Sequence, residues 1–313
     1  MDLRNLGSSG LRVSSVGLGC NNFGGRIGLD ATRAVVDRAI DIGITLFDTA
    51  DSYGNRGGSE TLLGETLGDR RKKIVLATKV GWAMDDAGAL KGGSRRYVMS
   101  AVEDSLRRLK TDWIDLYQFH VHDPLTPIEE TLRAFDDLVR AGKVRYIGWS
   151  NAAAWQLTDA VWTSRTLGLS RFISTQAEFS LLETAARRDL LPACSAMGVG
   201  LLPFFPLASG LLSGKYKRGE ASPSGTRLAS TPKMGERYMT DANWAKLESL
   251  ETFCAAHGKA LLDLAFAWLL SFDAVSSVIA GATRPEQIDA NVAAAAWRLD
   301  ATERAEVDRI LAG

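Results

Sequence analysis

The feature that most constrains this chain is an alternation that recurs eight times. Short β-rich runs at Val16–Gly19, Ile44–Phe47, Ile74–Lys79, Asp115–His120, Val144–Trp149, Phe172–Gln176, Val199–Phe204 and Ser277–Ala280 are separated by longer amphipathic stretches. These stretches are Ala31–Ile42, Ser59–Leu67, Arg96–Leu109, Ile128–Ala141, Ala152–Leu167, Ala186–Met197 and, after a gap, Asn243–Ala256; Pro285–Trp297 follows the eighth run. Strands that alternate with helices build βαβ crossovers and a parallel sheet. Eight such units over roughly 250 residues are the arithmetic of a closed α/β (β/α)8 TIM barrel. Asp30 and Thr126 read as helix N-caps, and Gly43, Gly68, Gly142, Gly168 and Gly198 sit where left-handed helix ends belong.

Two segments fall outside a bare barrel. Leu3–Leu6 and Leu11–Val13 flank Gly7-Ser8-Ser9-Gly10, which predicts an N-terminal β-hairpin before the first barrel strand. Residues 207–240 are rich in Gly, Ser, Pro and Lys, and so long a loop is expected to act as a lid or to lack order. No interdomain linker interrupts the pattern, so one barrel domain over residues 1–313 is expected.

Composition narrows the function. The 37 basic and 37 acidic residues cancel, which argues against nucleic acid or a membrane surface as a partner held by net charge. Three dispersed cysteines, Cys20, Cys194 and Cys254, form no CxxC pair and no disulfide framework, so a reducing, cytoplasmic setting is expected. Residues 1–7 have no apolar core of signal-peptide length, and the most apolar stretch, Ala260–Phe272, is too short to span a bilayer.

In a barrel of this kind the reactive groups gather at the carboxyl ends of the strands. Asp48 follows the second run, Lys79 closes the third, His120 closes the fourth, and Tyr53 lies five residues past Asp48. An isolated tyrosine, with a pKa near 10, is a poor acid at neutral pH. A neighbouring ammonium lowers that pKa, so Lys79, held and kept charged by Asp48, is expected to make Tyr53 a proton donor. His120 can then orient a carbonyl oxygen beside it. No side chain here is an electron source, so a nicotinamide cofactor must bring the hydride.

These residues stand in stretches that resemble the aldo-keto reductases. The resemblance is carried by Leu46-Phe47-Asp48-Thr49-Ala50-Asp51-Ser52-Tyr53-Gly54 with Gly64, and by Ala77-Thr78-Lys79. It continues in Leu106-Arg107-Arg108-Leu109, in Asp112 through His120, and in Gly142 through Asn151. It implies a (β/α)8 barrel opened by a hairpin and an Asp, Tyr, Lys, His tetrad, matched here by Asp48, Tyr53, Lys79 and His120. It also implies NADP(H) bound across the strand ends, for Gly17-Leu18-Gly19 and Gly24 do not keep the dinucleotide spacing.

By the same resemblance, Ser150, Asn151 and Gln176 would meet the nicotinamide carboxamide, and Phe204 would stack on its ring. The loop with Leu207, Ser209, Gly210, Leu211 and Lys215 would cover the pyrophosphate. Gly281, Thr283, Arg284, Gln287 and Asn291 would hold the adenosine 2′-phosphate and adenine. Ala290 stands where the family often has Glu. Phe23 and Trp82 are expected to wall the pocket for a small carbonyl substrate.

Two other readings compete. The resemblance includes potassium-channel β subunits, which keep the fold and cofactor but serve as regulatory partners. A metal-dependent hydrolase would need a third ligand beside His120 and His122, and the one remaining histidine, His257, falls in a helical stretch. No metal is expected. Substrate and oligomeric state are not legible in the chain.

Overall fold

A computed structural model describes residues 1–312. Strands β1 (Leu3–Asn5) and β2 (Arg12–Ser14) pair antiparallel as the expected hairpin. Eight parallel strands follow: β3 (Val16–Gly19), β4 (Leu46–Asp48), β5 (Val75–Val80), β6 (Ile114–Phe119), β7 (Val144–Ser150), β8 (Phe172–Glu178), β9 (Gly200–Phe204) and β10 (Val278–Gly281). Their order is β10-β3-β4-β5-β6-β7-β8-β9. The sheet closes on itself just before β10, where the Leu201 N–H donates to the Ala274 carbonyl at 2.7 Å and the Ser276 N–H donates to the Leu201 carbonyl at 3.0 Å. The fold is the expected (β/α)8 barrel with an N-terminal hairpin.

Helices α1 (Leu29–Asp41), α2 (Tyr53–Leu67), α3 (Arg95–Leu109), α4 (Ile128–Arg140), α5 (Ala154–Leu167) and α6 (Leu190–Met197) connect successive strands. Between β9 and β10 lie α7 (Arg227–Ser230), α8 (Pro232–Tyr238), α9 (Asp241–Ala256) and α10 (Leu261–Leu270); α11 (Pro285–Ala294) and α12 (Ala301–Ala312) follow β10. Spacing explains which face each helix buries. In α4, Leu132, Phe135 and Leu138 recur every third residue and face the barrel. In α10, Leu261 and every residue from Leu264 to Leu270 are buried, so the helix has no polar face to reveal it as amphipathic. Among the described residues no single helix is long and apolar enough to cross a membrane.

Several helix ends differ from expectation. The N-cap of α1 is Gly28 rather than Asp30, and that of α4 is Pro127; Thr126 instead donates its hydroxyl to Asp123 at 2.7 Å. The five glycines expected at helix ends all have positive φ.

The hairpin plugs the amino-terminal end of the barrel. Leu6 and Val13 pack against Leu46, Ala77, Leu116, Leu202 and Ile279, one inward residue from each of five strands. Gly7 fits here because a side chain could not: its φ is +57°, and a Cβ would lie 2.6 Å from the carbonyl oxygens of both Ile173 and Gly198. Because side chains alternate along a strand, the residues two positions beyond Leu46, Ala77 and Leu116 point inward at the opposite end. Those residues are Asp48, Lys79 and Gln118.

Candidate active site

Lys79 is fully buried, and its ammonium is held by three oxygens. It donates to Asp48 Oδ2 at 2.7 Å, to the Thr49 carbonyl at 2.9 Å and to the Tyr53 hydroxyl at 3.4 Å. Burial pulls its pKa down, but Asp48, Tyr53 and the bonds they accept outweigh this and leave the pKa above its ordinary value. Asp48 is held in turn: Gln118 Nε2 and Gln176 Nε2 donate to its Oδ1 at 3.0 and 2.8 Å. A buried carboxylate–ammonium pair with its other lone pairs satisfied has the geometry in which such a pair is tolerable.

Tyr53 differs from expectation in one respect. Burial raises its pKa, Lys79 lowers it and Asp48 raises it again, with a net shift upward. Lys79 therefore offsets the cost of ionising a buried phenol rather than making the phenol acidic in absolute terms. The chain after Tyr53 makes a left-handed turn, with φ of +65°, +59°, +66° and +112° at Gly54, Asn55, Arg56 and Gly57. Asn55 tolerates this region better than most side chains, whereas it costs Arg56 about 1 kcal/mol or more. Gly54 is required here, since a Cβ would lie 2.5 Å from the Phe23 carbonyl.

His120 is buried, and its imidazole pKa is pushed well below the ordinary value by burial and then by the Lys79 charge. It is therefore neutral at physiological pH and can donate one N–H to a carbonyl oxygen. Its Nδ1 has no protein partner. Its ring stands edge-on to Tyr53 at 5.7 Å and to Trp82 at 6.0 Å between centroids.

Asp48, Tyr53, His120 and Gln176 line the floor of a cavity of about 760 Å³, with Lys79 and Gln118 buried behind them. Of the residues expected at a cofactor, Ser150, Asn151, Gln176, Phe204, Leu207, Ser209, Gly210, Lys215, Gly281, Thr283, Arg284, Gln287 and Asn291 line it, as do Asp48, Tyr53, His120 and Trp82. Two expectations are corrected. Leu211 is buried in the core beneath its 3-10 turn and does not line the cavity. Phe23 is fully buried because the chain turns back at once: the Phe23 N–H donates to the Cys20 carbonyl, and the Gly24 N–H to that of Ile27. Gln176 is only partly free, since its amide nitrogen is committed to Asp48; toward a ligand it can act as an acceptor.

The structure adds residues that sequence patterns did not isolate. Gln118 orients Asp48 from 70 positions away, and no local signal marks it. Arg26 and Arg227 also line the cavity. The Arg227 guanidinium donates to Asn22 Oδ1 at 3.0 Å and lies 5.5 Å above the Phe205 ring. Among the described residues, Arg26, Lys215, Arg227 and Arg284 have no carboxylate within ion-pair distance, unlike most other arginines. Burial depresses the pKa of Lys215, and repulsion from Arg26 and Arg284 depresses it further. Ser209 Oγ is buried without a protein partner on the same wall. Arg284 precedes the first turn of α11, where backbone N–H groups favour an anion. A cluster of unpaired cations with an orphaned hydroxyl fits a phosphate-bearing cofactor.

His122 is exposed beside Trp149, and His257 packs on Phe253 and Trp297 at the end of α9. Among the described residues, no three His, Cys, Asp or Glu side chains are arranged to hold a metal ion.

Comparison with known proteins agrees with this architecture. The model of the Aldo/keto reductase family matches residues 15–312. The "Uncharacterized oxidoreductase YrpG" of Bacillus subtilis is 36% identical over 96% of this chain and 93% of its own. The L-glyceraldehyde 3-phosphate reductase of Escherichia coli K12 is 35% identical over 94% and 87%, respectively. A probable voltage-gated potassium channel subunit beta of Oryza sativa is 35% identical over 94% and 91%.

Proposed function

Because this chain belongs to the aldo/keto reductase family, we propose that it is an NADP(H)-dependent oxidoreductase that reduces an aldehyde or ketone to the alcohol. The observation that carries the proposal is the hydrogen-bonded line Asp48–Lys79–Tyr53 beside a neutral His120, at the floor of a cavity walled by unpaired cations. NADPH, when bound, supplies the hydride. Lys215, Arg284 and Ser209 would take its phosphates, Arg227 from residues 207–240 and Arg26 from the loop after β3 would add charge, and Gln287 and Asn291 would meet the adenine. Ser150, Asn151 and the Gln176 carbonyl would face the nicotinamide end, with Phe204 as the aromatic platform.

Tyr53 and His120 would bind the substrate carbonyl oxygen together. As charge develops on that oxygen, the Tyr53 hydroxyl gives up its proton and the ammonium of Lys79 stabilises the phenolate left behind. Asp48, fixed by Gln118 and Gln176, keeps Lys79 charged and aimed. The side chain of Trp82, half exposed beside His120, offers an apolar wall to the substrate. We read the chain as one domain acting in the cytoplasm on a small molecule, in keeping with its three buried free cysteines.

The test is NADPH oxidation with a panel of aldehydes. Tyr53→Phe keeps NADPH affinity within about twofold and loses about 100-fold or more in turnover, because only the proton donor is removed. Full activity in that variant would sink the assignment. The likeness to the rice channel subunit supports a second reading, a cofactor-binding regulatory protein. Tight NADPH binding with no turnover of any aldehyde would favour it.

A further inference from the structure

Within and behind the loop that carries Asp48 and Tyr53 lies a second group of buried polar side chains that the reaction does not use. Asp51 is 1% exposed, and neither of its carboxyl oxygens has a protein hydrogen-bond partner. The phenols of Tyr97, in the first turn of α3, and Tyr117, on β6, are also buried and unpartnered. Register sets Tyr117 opposite Thr78, and the Asp51 N–H is bonded to the carbonyl of Lys79, the next residue on β5. Burial raises the pKa of both phenols, and the Asp51 carboxyl is the next cause in each.

The groups around Asp51 are the Ser52 N–H, Glu60 on α2, Arg108 and Tyr97 on α3, Lys79 on β5 and Tyr117 on β6; Asp85 and Asp104 also act on Tyr97. Both nearby cations are committed elsewhere. Arg108 Nε donates to Glu60 Oε2 at 2.7 Å, while the Thr78 hydroxyl takes Glu60 Oε1 at 2.5 Å. Lys79 is held by Asp48, Thr49 and Tyr53. An ionised Asp51 would thus be a buried charge with no side-chain donor and only a poorly aligned approach of the Ser52 N–H, which is costlier than a neutral carboxyl. Burial, and then the Glu60 charge, push its pKa well above the carboxylate range. A neutral carboxyl and two phenols each offer one donor and at least one acceptor. Groups of this kind, left unsatisfied by protein, are what internal waters bridge, with about three bonds per water.

We propose that Asp51, Tyr97 and Tyr117 form a buried hydration site in which Asp51 carries a proton, and that this site positions the loop from Asp48 to Tyr53. The backbone makes the link direct. The Asp51 N–H donates to the Lys79 carbonyl at 3.2 Å, and the Tyr53 N–H donates to the Ala50 carbonyl at 3.2 Å. Anchoring the Asp51 side chain toward α3 and β6 therefore steadies the stretch from Ala50 to Tyr53. Asp51 acts through Tyr53 and is a positioning residue.

Three measurements test this, and two do not depend on the reductase reading. In infrared spectra at neutral pH, the wild-type protein shows a protonated-carboxyl C=O band that Asp51→Asn lacks; identical spectra overturn the protonation. A crystal structure shows at least one ordered water bridging the Asp51 carboxyl to a Tyr97 or Tyr117 hydroxyl; a dry contact, or Asp51 paired directly with Arg108, overturns the hydration site. With NADPH and 4-nitrobenzaldehyde, Asp51→Ala lowers kcat about tenfold while the KM for NADPH stays within about twofold, and Asp51→Asn restores most of the loss. Wild-type kcat in Asp51→Ala overturns the positioning role. If the wild-type protein turns over no aldehyde, the reductase reading fails while the infrared and crystallographic results still decide the state of Asp51.

Discussion

At and just beneath the floor of the cavity, Asp48, Lys79, Gln118 and Gln176 satisfy one another before any ligand arrives, each on a different barrel strand. On the lid and adenosine side, Arg26, Lys215, Arg227 and Arg284 face the same space without a counter-ion, and Lys215 is depressed by its neighbours' charge. The two regions divide the work of a site. The floor is rigid and complete, as chemistry on a fixed geometry requires. The lid side stores repulsion that a polyanion relieves, so binding energy there waits for the ligand.

The comparison can be broken most sharply at Lys79. Lys79→Met leaves Asp48 a buried charge without its cation and should cost about 3–5 kcal/mol of stability, read from denaturant unfolding. A loss under about 1 kcal/mol would mean the floor is not the interlocked unit described here. On the other side, Arg284→Ala should leave stability alone. NADPH should bind about ten- to a hundredfold more weakly, from one lost charge-assisted contact, with NADH unaffected. Equal weakening of both nucleotides would show that Arg284 does not read the extra phosphate. The smallest effect concerns His120. Its folded pKa lies below its unfolded value, so the unfolded chain binds the extra proton, and stability is lost as pH falls below about 6.5. The slope from this one group is at most about 1.4 kcal/mol per pH unit. His120→Gln should flatten the pH dependence of unfolding there by one proton, and an unchanged slope would argue that His120 already titrates freely.

The barrel was legible because its signal is local and repeated: a strand-length run, a helix-length run, a glycine at the join. The convergence of Asp48, Lys79 and His120 was legible because strand ends in a barrel share one face, so topology alone brings these side chains together. What escaped the sequence depends on distance or on turns. Gln118 looks like any polar residue inside a strand until Asp48 is seen beside it. Phe23 sits just past a strand end, but a reversal of the chain at Cys20–Ile27 returns it to the core. Arg26 and Arg227 come from loops whose path no periodicity dictates. Helix α10 is apolar but for Asp263 in its first turn, so it carried no amphipathic signature, and the left-handed turn after Tyr53 includes Arg56, a residue that rarely adopts it.

The hairpin that seals the amino-terminal end has a consequence for traffic. With Leu6 and Val13 seated in the barrel base and Gly7 pressed against the backbone of Ile173 and Gly198, the amino-terminal end is sealed, and the cavity described here lies at the other end. Any molecule that reaches Tyr53 through that cavity comes from the carboxyl-end face, where the unpaired cations of the loops stand.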